Sequence, residues 1–450
     1  MKKMLFGQVK KMNTLFHSVT LDKDKCKGCT NCVKRCPTEA IRVRKSKATI
    51  ISERCIDCGE CIRVCPHKAK KAVSDDFDIL DNFKYKVALP APSLYGQFDG
   101  IDNIDYILDG LIKLGFDDVF EVSAGAEIVS DFSRKYIKNE ENIPYPIISS
   151  ACPAVVRLIK ARFPSLCKNV LPVLAPIDVS AKLAREKAMK ETGLKSSEIG
   201  IIFITPCPAK VTAAFNHEDF DEKTVDGAIS MQRVYKKLAA EVKKSDNPAQ
   251  FSKSGIMGVG WAASGGECAA LLKDKYLAAD GIENVIKVLE EVEDGKLDYL
   301  DFIELNACTG GCVGGCLTVE NPFVAKARIQ ELRKYLPVSQ NKSDYDNKDD
   351  MLRSETLSYS SILKLDDDVV VAMKKMMEIG KIKELLPGID CGTCGSPSCR
   401  AFAEDVVSGK AYMSDCIFIY KETITELIQK VPDFGEIISK TEWGIKDESK

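Results

Sequence analysis

The segment Asp301 to Cys312, DFIELNACTGGC, opens as an apolar strand and ends in two cysteines, Cys308 and Cys312, separated by glycines. Its β-branched and aromatic residues favour a strand, and the glycines stop it. Cys152 follows a similar strand in YPIISSACP (145–153), and Cys207 follows another in IGIIFITPCP (199–208). Three strand ends thus carry four thiols drawn from residues 152 to 312. Residues 84 to 337 alternate short apolar strands with amphipathic helices. KYKVALPAP (84–92), FDDVFEVSAG (116–125) and SGIMGVGW (254–261) read as further strands; AVVRLIKARF (154–163), SAKLAREKAMKETG (180–193) and NPFVAKARIQELRKYL (321–336) read as helices. This alternation predicts an α/β class (α+β over the whole chain) with mainly parallel sheets flanked by helices. Ligands collect at the carboxyl ends of strands in such sheets, which is where Cys152, Cys207 and Cys308 stand.

Twelve more cysteines fall into three sets. Residues 26 to 65 repeat one pattern, Cys26, Cys29, Cys32, Cys36-Pro37 and then Cys55, Cys58, Cys61, Cys65-Pro66. C-x2-C-x2-C-x3-C-P is the run of bacterial two-cluster ferredoxins, in which the fourth cysteine of one run ligates the other cluster. Cys26, Cys29, Cys32 and Cys65 are therefore expected to hold one 4Fe-4S cluster, and Cys55, Cys58, Cys61 and Cys36 a second. Zinc, the alternative with disulfides, favours paired C-x2-C blocks and histidine; the chain has three histidines.

The polar stretch VSQNKSDYDNKDD (338–350) has the composition of a linker. An amphipathic helix is expected over 365–386, with Met373, Met376 and Met377 packed in a core. Cys391, Cys394, Cys399 and Cys416 follow as C-x2-C-x4-C-x16-C. Glycines and Pro397 let the backbone wrap a cube, and a helix from about Arg400 returns Cys416 to the site. This segment resembles the small 4Fe-4S domain of corrinoid iron-sulfur proteins and of an electron-transport subunit of bacterial membrane complexes. A four-cysteine zinc site is the alternative.

Composition excludes several classes. With 45% hydrophobic and 29% charged residues the chain is an ordinary globular protein. A net charge of -2 offers no global field for nucleic acid or a membrane surface. The basic run Lys34 to Lys47 reads as a solvated face or a docking patch for an acidic redox partner. Lys10 and Lys11 interrupt the N-terminal apolar residues before they reach the length of a secretory leader, and no run is apolar enough for a membrane span. Nineteen cysteines in such a chain point to metal ligation in a reducing compartment. A cytoplasmic protein of an anaerobic microbe is expected.

The three central segments, in chain order, resemble the catalytic domain of the FeFe hydrogenases. That family reads T-S-C-C-P, P-C-T-A-K-K and E-x-M-x-C-x-G-G-C; this sequence reads Ser149-Ser150-Ala151-Cys152-Pro153, Pro206-Cys207-Pro208-Ala209-Lys210, and Glu304-Leu305-Asn306-Ala307-Cys308-Thr309-Gly310-Gly311-Cys312. The resemblance implies an H-cluster: a 4Fe-4S cube on Cys152, Cys207, Cys308 and Cys312, with Cys312 bridging to a two-iron unit carrying CO, cyanide and azadithiolate. It implies that Lys210 donates to one cyanide, and that Pro92 and Ser93 face the other. Gly310 and Gly311 permit close backbone approach to a bulky cluster, and Trp261 with Ser264 corresponds to a pocket wall. The domains then read as a ferredoxin module (1–80), the hydrogenase domain (84–337), a linker (338–364), and a C-terminal helix with a 4Fe-4S domain (365–450), giving three accessory 4Fe-4S clusters beside the H-cluster.

Departures from the family matter as much. Where catalytic members have a proton-carrying cysteine, this chain has Ala151. Thr205 and Asn306 replace methionines, Ala175-Pro176-Ile177 replaces a glutamine-bearing segment, and the paired glutamates of the proton path find no match around Asp131 to Tyr136. Positioned acid-base groups contribute about 10²- to 10⁴-fold, so proton delivery is expected to be slow. Cys167 and Cys268 read as buried small hydrophobes. Cys316 stands where the family has glycine; a helical segment would put Cys308, Cys312 and Cys316 on one face.

The resemblance is closest to the sensory branch of the family, which implies slow interconversion of H2 and protons and a cluster redox state read by a redox or signalling partner. Maturation proteins would supply the two-iron unit; neither nucleic acid nor membrane is expected as a partner. A high-flux hydrogenase subunit and a nonenzymatic iron-sulfur assembly protein are the rival readings.

Overall fold

The computed structural model describes residues 16–140, 143–216, 224–344, 348–354, 357–359, 362 and 364–430; the basic N-terminal stretch read above lies outside them. Strands are β1 (Val19–Leu21), β2 (Ile41–Arg44), β3 (Lys47–Ile50), β4 (Lys70–Ala72), β5 (Tyr85–Pro90), β6 (Asp118–Val119), β7 (Ile147–Ile148), β8 (Ile199–Thr205), β9 (Gly227–Ser230), β10 (Tyr276–Asp280) and β11 (Phe302–Asn306). β1 pairs antiparallel with β4, and β2 with β3. These two small ladders frame the ferredoxin module.

The central part holds two parallel sheets, one ordered β6-β5-β8-β9 and one β10-β11-β7. All seven residues of β8 are buried, the near-continuous apolar run expected of a parallel strand covered on both faces. Helices Asp105–Lys113, Pro176–Thr192 and Met231–Lys244 cover the first sheet, and their apolar stripes join its strands in one core with Leu89, Phe203, Ile107 and Leu238. The mixed α/β architecture with parallel sheets is as expected.

Proline positions the ligand loops. Pro153, Pro176 and Pro208 each open a helix directly after a strand or loop. Proline suits a first turn because its missing N–H would have no helical partner there. Cys152 and Cys207 therefore sit at the amino ends of helices, where unpaired N–H groups and the helix dipole favour a thiolate.

Four expectations are corrected. SGIMGVGW is not a strand: Ile256–Gly260 is helical, and a Cβ on Gly258 would lie 2.1 Å from the Ser123 carbonyl oxygen, so the glycine serves close helix packing. Cys312–Gly314 is a single 3-10 turn rather than an α-helix, so Cys308, Cys312 and Cys316 share no helix face. Helix Val369–Leu385 forms near the expected place, yet Met373, Met376 and Met377 are 63%, 68% and 66% exposed. Among the described residues that helix packs through Ile379 against Phe402 and Ala403. Finally, the run Lys34 to Lys47 is not simply a solvated face. Arg42 Nε and Arg44 Nη2 reach Asp405 Oδ2 at 2.6 and 2.7 Å, binding the C-terminal module of the same chain.

The stretch after residue 337 is tied down as well. Gln340 and Asn341 donate backbone N–H groups to Glu127 Oε2, and Met351 packs with Phe132 and Leu174. No helix among the described residues is long and apolar enough to cross a membrane.

Candidate functional site

The four central cysteines leave the carboxyl ends of parallel strands: Cys207 two residues after β8, Cys308 two after β11, Cys152 four after β7. They converge, since the charge of Cys308 and Cys312 acts on both Cys152 and Cys207. Burial pushes both thiols up, with the neighbouring thiols adding to it. Gly310 and Gly311 have φ of 80° and 87°, backbone that favours glycine. A Cβ on Gly311 would lie 2.4 Å from the Ser264 nitrogen, and that nitrogen donates to the Gly310 carbonyl at 3.1 Å. Ser264 thus holds the loop through its backbone.

Beside the cysteines lies a cavity lined by Pro92, Ser93, Ala151, Lys210, Trp261 and Cys312, with Ala175, Pro176, Ile177 and Asn306. Lys210 Nζ donates to Cys312 Sγ at 3.4 Å. Burial would lower this ammonium, but Cys312, Cys207 and Cys152 outweigh it and hold its pKa up. The Ser93 hydroxyl reaches the Met231 sulfur at 4.0 Å. Trp261 Nε1 donates to Ser130 Oγ at 3.0 Å. Thr205 turns its hydroxyl to the Cys207 carbonyl.

Two carboxyl groups also line this cavity, Glu267 and Glu304. Neither carboxyl is legible in the sequence as one of a pair, because nothing local signals that the two meet. Burial and the Glu304 charge push Glu267 up to about 8, partly offset by the Ser149 hydroxyl. Burial also raises Glu304, against hydrogen bonds from the Cys268 and Gly265 amides at 3.0 Å and from Asn306 Nδ2 at 2.8 Å. Burial thus pushes both carboxyl groups toward the neutral form. Asp131 does not contribute: burial would raise it, but Lys135, Ser343 and Arg134 hold it down to about 2.

In the ferredoxin module, Ala40 N–H donates to Cys36 Sγ and Ala69 N–H to Cys65 Sγ, both at 3.2 Å, and Ala48 N–H to Cys26 Sγ at 3.4 Å. Cys36, Cys55, Cys58 and Cys61 line one cavity; Cys26, Cys29, Cys32 and Cys65 line another. The structure thus brings together the interleaved sets. In the C-terminal module Ser398 caps the helix that begins at Cys399, and Cys394, Cys399 and Cys416 share one small core.

The spacing of the thiols bears on whether a single ion fits. Tetrahedral zinc with bonds of about 2.3 Å would draw its thiolates to within roughly 4 Å of one another. Among the described residues the only metal-type group with ligand atoms all within 4.8 Å is His17, Cys55 and Asp57. Asp57 there is already engaged by His17 Nδ1, Arg157 Nη1 and the Val19 N–H. Among the described residues no cysteine set brings three sulfurs within that spacing.

Cys316 packs against Gly59 of the ferredoxin module, where an added Cβ would lie 2.4 Å from its sulfur. Burial pushes its thiol up to about 12, opposed by Arg63. Cys268 is fully buried and donates its amide to Glu304; Cys167 packs at the edge of a second core.

This fold and site define an iron-sulfur protein. The family of the iron-only hydrogenase large subunit, C-terminal domain, matches residues 84–277 and 272–316. The chain belongs to that family. A 4Fe-4S dicluster domain matches residues 12–69 and an Fe-S cluster domain residues 386–418. Iron hydrogenase 1 of Clostridium pasteurianum is 26% identical over 370 residues, covering 66% of this chain and 64% of that protein. The periplasmic iron hydrogenase large subunit of Nitratidesulfovibrio vulgaris is 26% identical over 362 residues, covering 66% of this chain and 86% of that one. A probable cytosolic Fe-S cluster assembly factor of Drosophila mojavensis is 20% identical over 333 residues, covering 59% and 69%. This chain spans less than two thirds of the Clostridium relative.

Proposed function

We propose that this chain is a slow hydrogenase that interconverts H2 with protons and electrons and serves as a hydrogen or redox sensor. Its H-cluster would stand on Cys152, Cys207, Cys308 and Cys312, with the two-iron unit and its CO, cyanide and azadithiolate ligands in the adjoining cavity. When bound, that group supplies the cleavage and formation of H2. The chain's own residues do the rest. Lys210 offers a buried cation to an anionic ligand, an arrangement worth more in a dry site than in water. Glu267 and Glu304 hold and release a proton at the cavity wall, replacing in part what Ala151 cannot do. The Cys26, Cys55 and Cys391 sets carry electrons to a redox or signalling protein, and maturation proteins deliver the two-iron unit. The observation that carries this reading is one cavity walled at once by Lys210, Cys312, Ala151 and the Glu267–Glu304 pair.

Infrared spectra of matured protein test it. CO and cyanide bands that shift under H2, with iron near sixteen atoms in cubes plus two more, are expected. Absence of those bands after incubation with a synthetic two-iron precursor would favour a nonenzymatic iron-sulfur role of the kind carried by the assembly-factor relatives.

A further inference from the structure

The two halves of the ferredoxin module differ at one buried position. Cys36-Pro37-Thr38-Glu39-Ala40-Ile41 aligns with Cys65-Pro66-His67-Lys68-Ala69-Lys70 through the shared Cys, Pro and Ala, and Ala40 and Ala69 make the same 3.2 Å bond to the cysteine four residues earlier. Ile41 and Lys70 are therefore equivalent, and they are 2% and 3% exposed. Ile41 lines the cavity of Cys36, Cys55, Cys58 and Cys61, an ordinary apolar wall. Lys70 lines the cavity of Cys26, Cys29, Cys32 and Cys65, and its Nζ has no hydrogen-bond partner among the described residues. A buried ammonium left this way is costly unless an opposite charge stands beside it. The anionic occupant this pocket is built for is a thiolate-ligated cluster. Lys70 opposes the burial-driven rise of the Cys32 thiol of this set and also reaches Cys61 of the other, but it lines the Cys26 cavity alone.

Reduction adds one electron, hence one negative charge, to a cluster that a fixed cation already faces. Asp57, in contrast, lines the other cavity. Val43 lines the Cys26 cavity and also donates its N–H to the Gly395 carbonyl at 2.8 Å, between Cys394 and Cys399. The Cys26 cluster thus lies on the side of the module that meets the C-terminal cysteines.

We propose that Lys70 raises the reduction potential of the Cys26/Cys29/Cys32/Cys65 cluster above that of its partner, making it the place where an electron rests between the hydrogenase site and the C-terminal cluster. The inference rests on the cluster reading above.

EPR-monitored titration of the reconstituted full-length protein with dithionite and mediators tests it. Lys70→Ile, the side chain the other half already uses, is expected to disfavour one-electron reduction of this cluster at least tenfold, about 59 mV, with iron content unchanged. Lys70→Arg keeps the charge and is expected to stay near wild type. Cys29→Ser identifies which signal belongs to this cluster. An unshifted midpoint at full iron content overturns the role of Lys70, as does a shift borne mainly by the Cys55 cluster or an equal loss in Lys70→Arg. If Lys70→Ile loads poorly, Lys70→Gln carries the same expectation. Wild-type protein with iron missing from the Cys26 set would instead remove the cluster reading itself.

Discussion

Arg63 Nη2 donates to the Gly314 carbonyl oxygen at 2.7 Å, and Gly314 lies two residues beyond Cys312. One side chain of the ferredoxin module is thus bonded to the loop that carries two central cysteines. The same guanidinium interacts with the Cys308 thiol, so the junction between modules also reaches the central cysteines.

Arg63→Ala is expected to loosen this junction by about 1–3 kcal/mol, the range for a lost hydrogen bond that leaves a buried partner unsatisfied. Thermal unfolding should fall, and reduction of the central cluster by way of the ferredoxin module should slow while direct chemical reduction does not. Equal rates by both routes would assign Arg63 to packing alone.

Glu267 makes a pH prediction with a definite sign. Burial holds its folded pKa up at about 8, against the ordinary value of 4.5. Between these values the folded protein binds the extra proton, so stability falls as pH rises through the window and levels off above it. Glu267→Gln is expected to flatten that slope in urea titrations between about pH 5 and 9. A slope that survives the substitution would place the proton elsewhere.

The same pair bears on turnover. Glu267→Gln and Glu304→Gln are each expected to reduce H2 evolution by roughly 10²-fold or more, without loss of the infrared signature of the assembled site. H2 evolution in the parent protein should decline as pH rises past about 8, where Glu267 gives up its proton. Full activity in both variants would exclude the pair from proton transfer.

Ala151→Cys places a thiol on the wall shared with Lys210 and Glu267. We expect a modest gain, well under the roughly 10⁴-fold upper end for one acid-base group, because Asp131 is locked in ion pairs. A gain near that limit in H2 uptake assays would reveal an intact outer path.

Asp405→Ala removes the shared partner of Arg42 and Arg44. Leaving two guanidinium groups against a buried uncharged surface is expected to cost about 3–5 kcal/mol at that contact. Limited proteolysis should then release the C-terminal module, while the ferredoxin and central clusters keep their spectra. Unchanged protection would show that Arg54 with Glu404, which also bond, suffices for docking.

Sequence by itself determined the cysteine sets, because ligand spacing within a loop is set by a few bonds of backbone and needs no tertiary partner. It likewise determined the parallel α/β core, since fully buried strands such as Ile199–Thr205 and helices opened by proline carry their pattern locally. Lys210 was legible for the same reason, standing three residues from Cys207. Tertiary structure alone decided the rest. Glu267 and Glu304 lie 37 positions apart in the chain, and the Glu304 charge raises Glu267 only because a helix end and a strand end meet at one cavity wall. Lys70 looks like any surface lysine in a basic run until the strand it opens turns inward at a cluster wall. The methionines of Val369–Leu385 have the spacing of a core stripe, yet face solvent because the small module beneath supplies one packing surface. Arg42 and Arg44 alternate like a solvated strand face and are instead paired with Asp405, more than 350 residues away. In each case the deciding energy is burial or charge pairing between segments remote in sequence, which local pattern does not encode.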